Sequence, residues 1–455
     1  MKQSLDKTNE KKLHELLSGE LNFHDGEDEY ALHNFHPFPA KFPPQLPHKF
    51  IMALTAPDDF VLDPMMGSGT TVLEAGLCGR HGIGCDIDPL SILISQIKTA
   101  DMNMDEVEKH GIRLLDNTRK ILNNNGSKLL EGYKADLDEK TVGFIDYWFA
   151  FETQTELAAL ISEINKIENI LIKNFFKGIF SGIIITKSGG VSLSFDLAHT
   201  RPHRAKIAIS KNGEILFGKE LIGNGSPRTK MLTKKLRSAL TVFEKRFQQN
   251  VKNLTGRKTA KTVSEIKYSE ARKLDIPDSS IDLIVTSPPY ASNAIDYMRA
   301  HKFSLVWFGY KIDELSRMRK KYIGGESAQD AEFEQLPCYA ENIVSDISAK
   351  DRKKGIAIRR YYSEMKQALK EMFRVLKMNS SAIVVVGNSL MRDMDTETGK
   401  CIAEIGEHIG FKVIKIGIRD LDRNRRMLPA GRLINPESQI QQRMHQEYVI
   451  GFHKQ

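Results

Sequence analysis

The chain has 455 residues, 27% of them charged and 41% hydrophobic, with 66 Lys+Arg against 58 Asp+Glu for a formal net charge of +8. That length holds roughly two or three domains with real cores, and the mild basic excess leans towards polyanions without establishing a partner. Cys78, Cys85, Cys338 and Cys401 make neither a disulfide framework nor a metal-like spacing, the stretch Met1–Tyr30 is too polar for a signal peptide, and the longest apolar run, around Phe175–Thr186, is too short to span a bilayer. The expectation is a chain of a reducing cytoplasm, with no metal and no membrane partner.

Residues 1–30 read as a polar lead-in. His33–Ile51 (HNFHPFPAKFPPQLPHKFI) is a Pro-rich arm. A short strand, Phe60–Leu62, then runs into Asp63-Pro64 and a turn rich in glycine, Gly67-Ser68-Gly69, before a helix over Thr71–Leu77. Gly67 and Gly69 permit a tight turn and a close backbone approach to a ligand, and the helix start offers free N–H groups. A phosphate-binding P-loop would need a Lys where Thr70 stands. A second strand, His81–Asp86, ends on an acid roughly 20 residues past the glycines, the spacing at which a carboxylate takes the two hydroxyls of a ribose. Asp88 precedes Pro89, so it reads as the cap of the next helix. Residues 31–100 thus form one half of an α/β unit.

Residues 101–260 interrupt that unit. Leu157, Leu160, Ile161, Ile164 and Ile167 recur at helical spacing within Tyr147–Phe176, and strands are expected at Lys206–Ser210 and Glu214–Phe217 around an Asn212-Gly213 turn. Leu197–Lys206 is rich in Arg and His. Arg228–Lys261 holds eleven Lys/Arg and one acid, Glu244, with an apolar stripe from Leu232 to Leu254, which predicts a helix with a basic face. A plain solvated helix is the other reading of that charge. Residues 261–455 resume the α/β pattern. The apolar strand Ile281–Val285 stops at TSPPY, Thr286–Tyr290, because two prolines cannot continue a central strand. The outcome is a stiff loop with a hydroxyl, a carbonyl and an aromatic ring at the sheet edge where ligands bind. A helix over Tyr361–Lys377, a strand over Ala382–Val386 and a closing hairpin of Phe411–Ile418 with Glu447–Phe452 complete the unit.

The DPMMGSGTT run and the TSPPY loop together resemble the S-adenosylmethionine-dependent DNA amino-methyltransferases, which methylate N4 of cytosine or N6 of adenine. The resemblance covers residues 31–100 and 263–453. It implies a Rossmann-like class I methyltransferase sheet of α/β class, with 101–260 as a large inserted α+β target-recognition region assigned by elimination; dimerisation or support of the fold are the other roles open to it. It implies S-adenosyl-L-methionine as cofactor, held by Lys41 and Phe42 of the arm, Asp63, Pro64, Gly67, Ser68, Gly69 and Thr70 of the turn, Asp86 and Ile87, and Glu270 near the adenine. Glu270 stands where the family has Asp, so its contact differs in reach. Catalysis is placed on Ser287, Pro288, Pro289 and Tyr290. Ser287 and the Pro288 carbonyl would accept the hydrogens of the target amine while the base stacks on Tyr290.

Asn293, Asp296 and Tyr297 are candidates to face the base, each equally a cap or packing residue. Ser at the head of the loop favours N4 of cytosine over N6 of adenine. The partner implied is double-stranded DNA with a flipped target base, in a bacterial or archaeal cytoplasm at the nucleoid, with a possible separate cognate restriction endonuclease. An RNA substrate, or an inactive DNA-binding homologue, are the rival readings.

Overall fold

The computed structural model describes residues 2–23, 30–38, 41, 43–186, 188–195, 197, 202–224, 232–254, 260–291, 296–325, 333–421 and 446–455. Its strands in chain order are β1 (Phe60–Asp63), β2 (His81–Asp86), β3 (Ile207–Ile209), β4 (Ile215–Phe217), β5 (Thr233–Lys235), β6 (Glu265–Tyr268), β7 (Ile281–Thr286), β8 (Leu376–Gly387), β9 (Leu390–Met391), β10 (Met394–Asp395), β11 (Lys412–Asp420) and β12 (Gln446–His453).

Seven of these form the central sheet in the order β11-β12-β8-β7-β1-β2-β6. From β8 to β6 every neighbouring pair is parallel, while β12 runs antiparallel to β8 and β11. The chain winds outward from β1 in both directions, so β1 and β7 flank the point where strand order reverses, with Val61 opposite Leu283 and Leu62 opposite Ile284. This is the Rossmann-like methyltransferase sheet expected from the motifs, closed by the expected hairpin. The loops after β1 and β7 emerge side by side at its C-terminal edge.

Two layers cover the sheet. One face packs the helices Cys338–Lys350, Arg352–Val375 and Thr398–Ile409, with Tyr361, Met365, Leu369 and Ile402 fully buried. The other packs α1 (Lys2–Ser18) and α2 (Gln45–Leu54) against Val61, Leu283, Val385 and Val449. The first 30 residues are therefore not only a polar lead-in. Leu13 and Leu17 share one face of α1, Leu21 follows just past its end, and all three are at most 2% exposed. Gly417 and Gly451 leave them room: a Cβ on Gly451 would lie 2.3 Å from Leu17 Cδ1.

Residues 101–260 fill the crossover between β2 and β6. After α3 (Thr70–Leu77) and α4 (Pro89–Thr99) come α5 (Met104–Asn124), α6 (Gly126–Ala135), α7 (Glu139–Trp148), α8 (Phe151–Asn165) and α9 (Ile170–Ile184), then a small sheet ordered β4-β3-β5. The expected hairpin of β3 and β4 is present. The helical pattern over Tyr147–Phe176 resolves into three helices, because Asn169 caps α9 and Ala150 precedes α8. The basic segment is corrected more sharply. Its helix is Ala239–Leu254 only; Thr233–Lys235 is strand, so Leu232 and Leu236 are not on the stripe. Residues 228–231 and 255–259 lie outside the described residues.

The insert shares a core with the cofactor half. Leu90, Ile94 and Ile97 of α4 pack with Phe175, Phe176 and Ile179 of α9 and with Phe243, Phe247 and Trp307. Gly178 allows the approach, since a Cβ there would meet Ile97 and Phe35 at 2.6 Å. Two hydrogen bonds tie the insert to the arm: His36 Nε2 to Ser181 Oγ at 3.0 Å, and Arg246 Nη2 to the Phe35 carbonyl at 2.9 Å. Among the described residues no helix is long and apolar enough to cross a membrane.

Candidate active site

The two motifs meet at the β1/β7 edge. The glycine turn is built as its composition requires: Gly67 and Gly69 have φ of +50° and +70°, and a Cβ on Gly69 would meet Ser95 Oγ at 2.5 Å. Lys98, fully enclosed on α4, donates to the Ser68 carbonyl at 2.6 Å and fixes the turn from behind. Burial holds its ammonium well below the ordinary lysine range, with Lys41 adding repulsion. Nothing in the sequence singled Lys98 out, because it sits inside an unremarkable helix.

Asp63, at the end of β1, accepts from Thr286 Oγ1 at 2.7 Å and from the Met65 N–H at 3.2 Å. Thr71 Oγ1 donates to the Val285 carbonyl at 3.1 Å. The cofactor turn and the SPPY loop are thus bonded to each other beneath the site. Burial pushes the Asp63 carboxyl up to about 6 despite these donors.

Asp86, at the end of β2, accepts from the Gly67 N–H and the Asp88 N–H, both at 2.9 Å, one on each oxygen. Each oxygen keeps a lone pair for a further donor. Burial, reinforced by the Asp88 charge, pushes its carboxyl up to about 7. Asp88 caps α4 as expected, accepting from the N–H groups of Leu90 at 2.8 Å and Ser91 at 3.3 Å. It does more than that: its second oxygen bonds His301 Nδ1 at 2.6 Å and Tyr322 Oη at 2.8 Å. Although burial works against it, His301 and Tyr322 hold Asp88 below the usual carboxylate range.

A cavity open to solvent, with about 890 Å³ of empty space counting its open mouth, lies over these groups. Asp63, Pro64, Gly67, Ser68, Thr70, Asp86, Ile87 and Glu270 line it, as do Lys41 from the arm and Ser287 and Pro289 from the loop. Phe38, Tyr297, Tyr322 and Ile323 also line it, and of these only Tyr297 was expected. Phe38 stacks on Tyr297 at 5.6 Å between ring centroids. Gly69 lies behind the turn. Phe42 and Asn293 lie outside the described residues. Lys41 Nζ donates to the His33 carbonyl at 2.8 Å, and Glu270 pairs with Arg272.

Tyr290 sits half-buried beside this wall. Its hydroxyl donates to Glu447 Oε1 at 2.7 Å and is hydrogen-bonded to Ser287, while the buried Arg419 holds the other Glu447 oxygen at 2.5 Å. Burial raises the phenol well above its ordinary range, and the Glu447 charge adds to this. Asp296 is taken up by Arg299 at 3.0 Å and by Arg319, which favours its packing role. In the basic insert Arg204 is likewise committed, stacking over Tyr147 and Phe217 and donating to the Tyr147 carbonyl at 2.7 Å. Ala198–Arg201 lie outside the described residues.

The donor set suits an adenosine-bearing cofactor: a carboxylate with free lone pairs on both oxygens, a wall of Ile87 and Ile323, and a glycine turn without Cβ atoms in the way. The sheet order and the paired loops define a methyltransferase of the Rossmann-like class. Residues 2–96 match the model of the family described as DNA methylase, of the N6/N4 type. Over 401 residues the chain is 25% identical to the type II methyltransferase M.MvaI of Kocuria varians, covering 85% of this chain and 83% of that one. It is 23% identical over 445 residues to the type II methyltransferase M.BsoBI of Geobacillus stearothermophilus, covering 88% and 83%. A solved TehB-like SAM-dependent methyltransferase from Corynebacterium glutamicum overlaps 90% of this chain and 87% of its own at 9% identity, but with a TM-score of 0.27 the overlap carries no argument. These matches support an S-adenosylmethionine-dependent DNA amino-methyltransferase of the restriction–modification type, with S-adenosyl-L-methionine as its cofactor.

Proposed function

We propose that the chain methylates the exocyclic N4 of cytosine at a specific site in duplex DNA. The observation that carries this reading is that Ser287 and Pro289 line the same cavity as Asp63, Gly67 and Asp86. A target amine held by the loop would therefore lie next to the cofactor. Asp86 would take the ribose hydroxyls, Ile87 and Glu270 would flank the adenine, and the turn from Asp63 to Thr70, with Lys41 and Phe42, would hold the methionine end. Bound there, the cofactor supplies an electrophilic methyl group on a sulfonium.

The chain's own part is to make a poor nucleophile reactive. The amine lone pair of cytosine is delocalised into the ring. Hydrogen bonds from its N–H groups to Ser287 Oγ and the Pro288 carbonyl draw the nitrogen towards tetrahedral geometry and localise the pair. Positioning and exclusion of water supply much of the remaining rate. The hydrogen-bonded series Ser287, Tyr290, Glu447 gives the proton lost from nitrogen a path away from the base. Flipping the base costs a few kcal/mol, and stacking on Tyr290 or Tyr297 offsets on the order of 1–3 kcal/mol of it.

Residues 101–260 are assigned to target recognition, though much of their helical part supports the arm and α4. A separate endonuclease partner and a cytoplasmic location accompany the restriction–modification reading. Incubation with labelled S-adenosylmethionine and unmethylated plasmid, then nucleoside digestion and mass spectrometry, tests the proposal. N4-methylcytosine supports it. N6-methyladenine keeps the mechanism and overturns the base. Label in RNA alone overturns the DNA assignment, and no label with cofactor still bound favours an inactive binder.

A further inference from the structure

We propose that His48, Glu74 and Cys78 form a zinc site outside the cofactor cavity, joining α2 to α3. None of the three lines the cavity, and no step of the methyl transfer above uses them. Glu74 and Cys78 lie four residues apart at the end of α3, one turn apart on a single face, which is the spacing by which a helix presents two ligands to one ion. His48 comes from α2. Its Nδ1, a Glu74 carboxylate oxygen and Cys78 Sγ all lie within 4.8 Å of one another.

The geometry points to a shared cation rather than to ordinary hydrogen bonds. His48 Nδ1 stands 2.9 Å from Glu74 Oε2 and 3.4 Å from Cys78 Sγ. An imidazole nitrogen carries at most one hydrogen, yet here it faces two electron-rich atoms. A metal at the centre of the triangle satisfies all three. Zinc–ligand bonds of about 2.0–2.3 Å put tetrahedral ligands roughly 3.3–3.7 Å apart, so the two separations from His48 need to open by only a few tenths of an ångström, while Glu74 and Cys78 lie within 4.8 Å of each other. Nitrogen, carboxylate and thiolate donors together suit zinc and disfavour magnesium or calcium.

The surroundings fit as well. Glu74 has no exposed surface, and its other oxygen is held by His33 Nε2 at 2.7 Å, an outer contact that fixes the carboxylate's direction. His48 is half-exposed and Cys78 partly so, which leaves a fourth position open to water. The cysteine spacing gave no sign of the site because one thiol takes part and the other ligands come from two helices. Since α3 begins at the glycine turn, the ion would brace the turn from one helical turn away.

The test uses the full-length protein, stripped of metal with a chelator and re-dialysed. Mass spectrometry of protein dialysed against zinc should find about one equivalent per chain. Cobalt(II) should give a thiolate charge-transfer band together with tetrahedral d–d absorption. Cys78→Ser should abolish the thiolate band, and His48→Ala should weaken binding at least about 10-fold. Cofactor binding by each variant verifies that it is folded, and both side chains are exposed enough for the changes to be tolerated. Absence of retained zinc and of the cobalt band in the wild-type protein overturns the proposal. So does metal binding of undiminished strength in the His48→Ala/Cys78→Ser double variant.

Discussion

Thr286 donates its hydroxyl to Asp63 Oδ1 at 2.7 Å across 223 positions of sequence, joining the residue that precedes the SPPY run to the one that precedes the glycine turn. Both side chains are buried. Thr286→Val keeps the shape and removes the donor, leaving a carboxyl already near 6 with less support. The expected loss is about 1–3 kcal/mol of unfolding free energy, with weaker cofactor binding. Urea unfolding and calorimetry read the two effects; if neither moves, the bond does not hold the loops together.

Ser287→Ala is expected to lower the methyl-transfer rate on the order of 10²–10³-fold while leaving cofactor affinity unchanged. Ser287 lines the cavity. Single-turnover assays beside equilibrium binding separate the two quantities. Wild-type turnover by this variant would remove Ser287 from the mechanism.

Cofactor affinity should depend on pH through Asp86. Its folded pKa of about 7 lies above the ordinary aspartate value of about 3.8, so protonation stabilises the empty protein. That stability is full below about 4 and is lost as pH rises through 7. Ribose hydroxyls prefer the ionised carboxylate, so binding should tighten as pH rises to 7 and level off above it, by at most about tenfold per unit. Asp86→Asn should bind more weakly and with a flat profile between pH 5.5 and 8. A parallel profile for the two proteins would assign the titration elsewhere.

Tyr290 carries two separable roles. Tyr290→Phe keeps the ring and deletes the bond to Glu447, and the loss expected is roughly 1 kcal/mol of stability with a modest fall in rate. Tyr290→Ala also removes the stacking surface and should cost on the order of 1–3 kcal/mol more in productive DNA binding. Equal defects in the two variants would place the whole effect on the hydroxyl and remove the ring from base binding.

Leu17→Ala is expected to destabilise the protein by about 2–5 kcal/mol, because Leu17 is 2% exposed and packs on Gly417 and Gly451 of the closing hairpin. Thermal and denaturant unfolding are the measurements, and an unchanged midpoint would return α1 to the status of a loose extension.

What the sequence disclosed, and what it hid, follows the range of the interactions. The turn from Asp63 to Thr70, the strand ending at Asp86 and the Asp88–Pro89 cap are local, and each was legible within a dozen residues. Strands β2 and β7 fell almost where their apolar runs predict. The partners of Asp63, Tyr290 and Asp88 lie 223, 157 and 213 positions away, and no local pattern encodes them. Lys98 and Phe38 gain their places only when α4 and the arm fold over the turn. The basic stretch misled because Leu232 and Leu236, spaced as in a helix, flank β5, where pairing with β3 overrides local preference.

The grip of the insert on the arm limits how the chain can be re-engineered. Ser181 and Arg246 belong to residues 101–260, yet their partners, His36 and Phe35, precede the cofactor turn. Transplanting that whole segment from a relative would strip the arm of both attachments. A chimera that retains α9 and the helix Ala239–Leu254 as host scaffold, and exchanges only the small sheet between them, leaves both attachments in place.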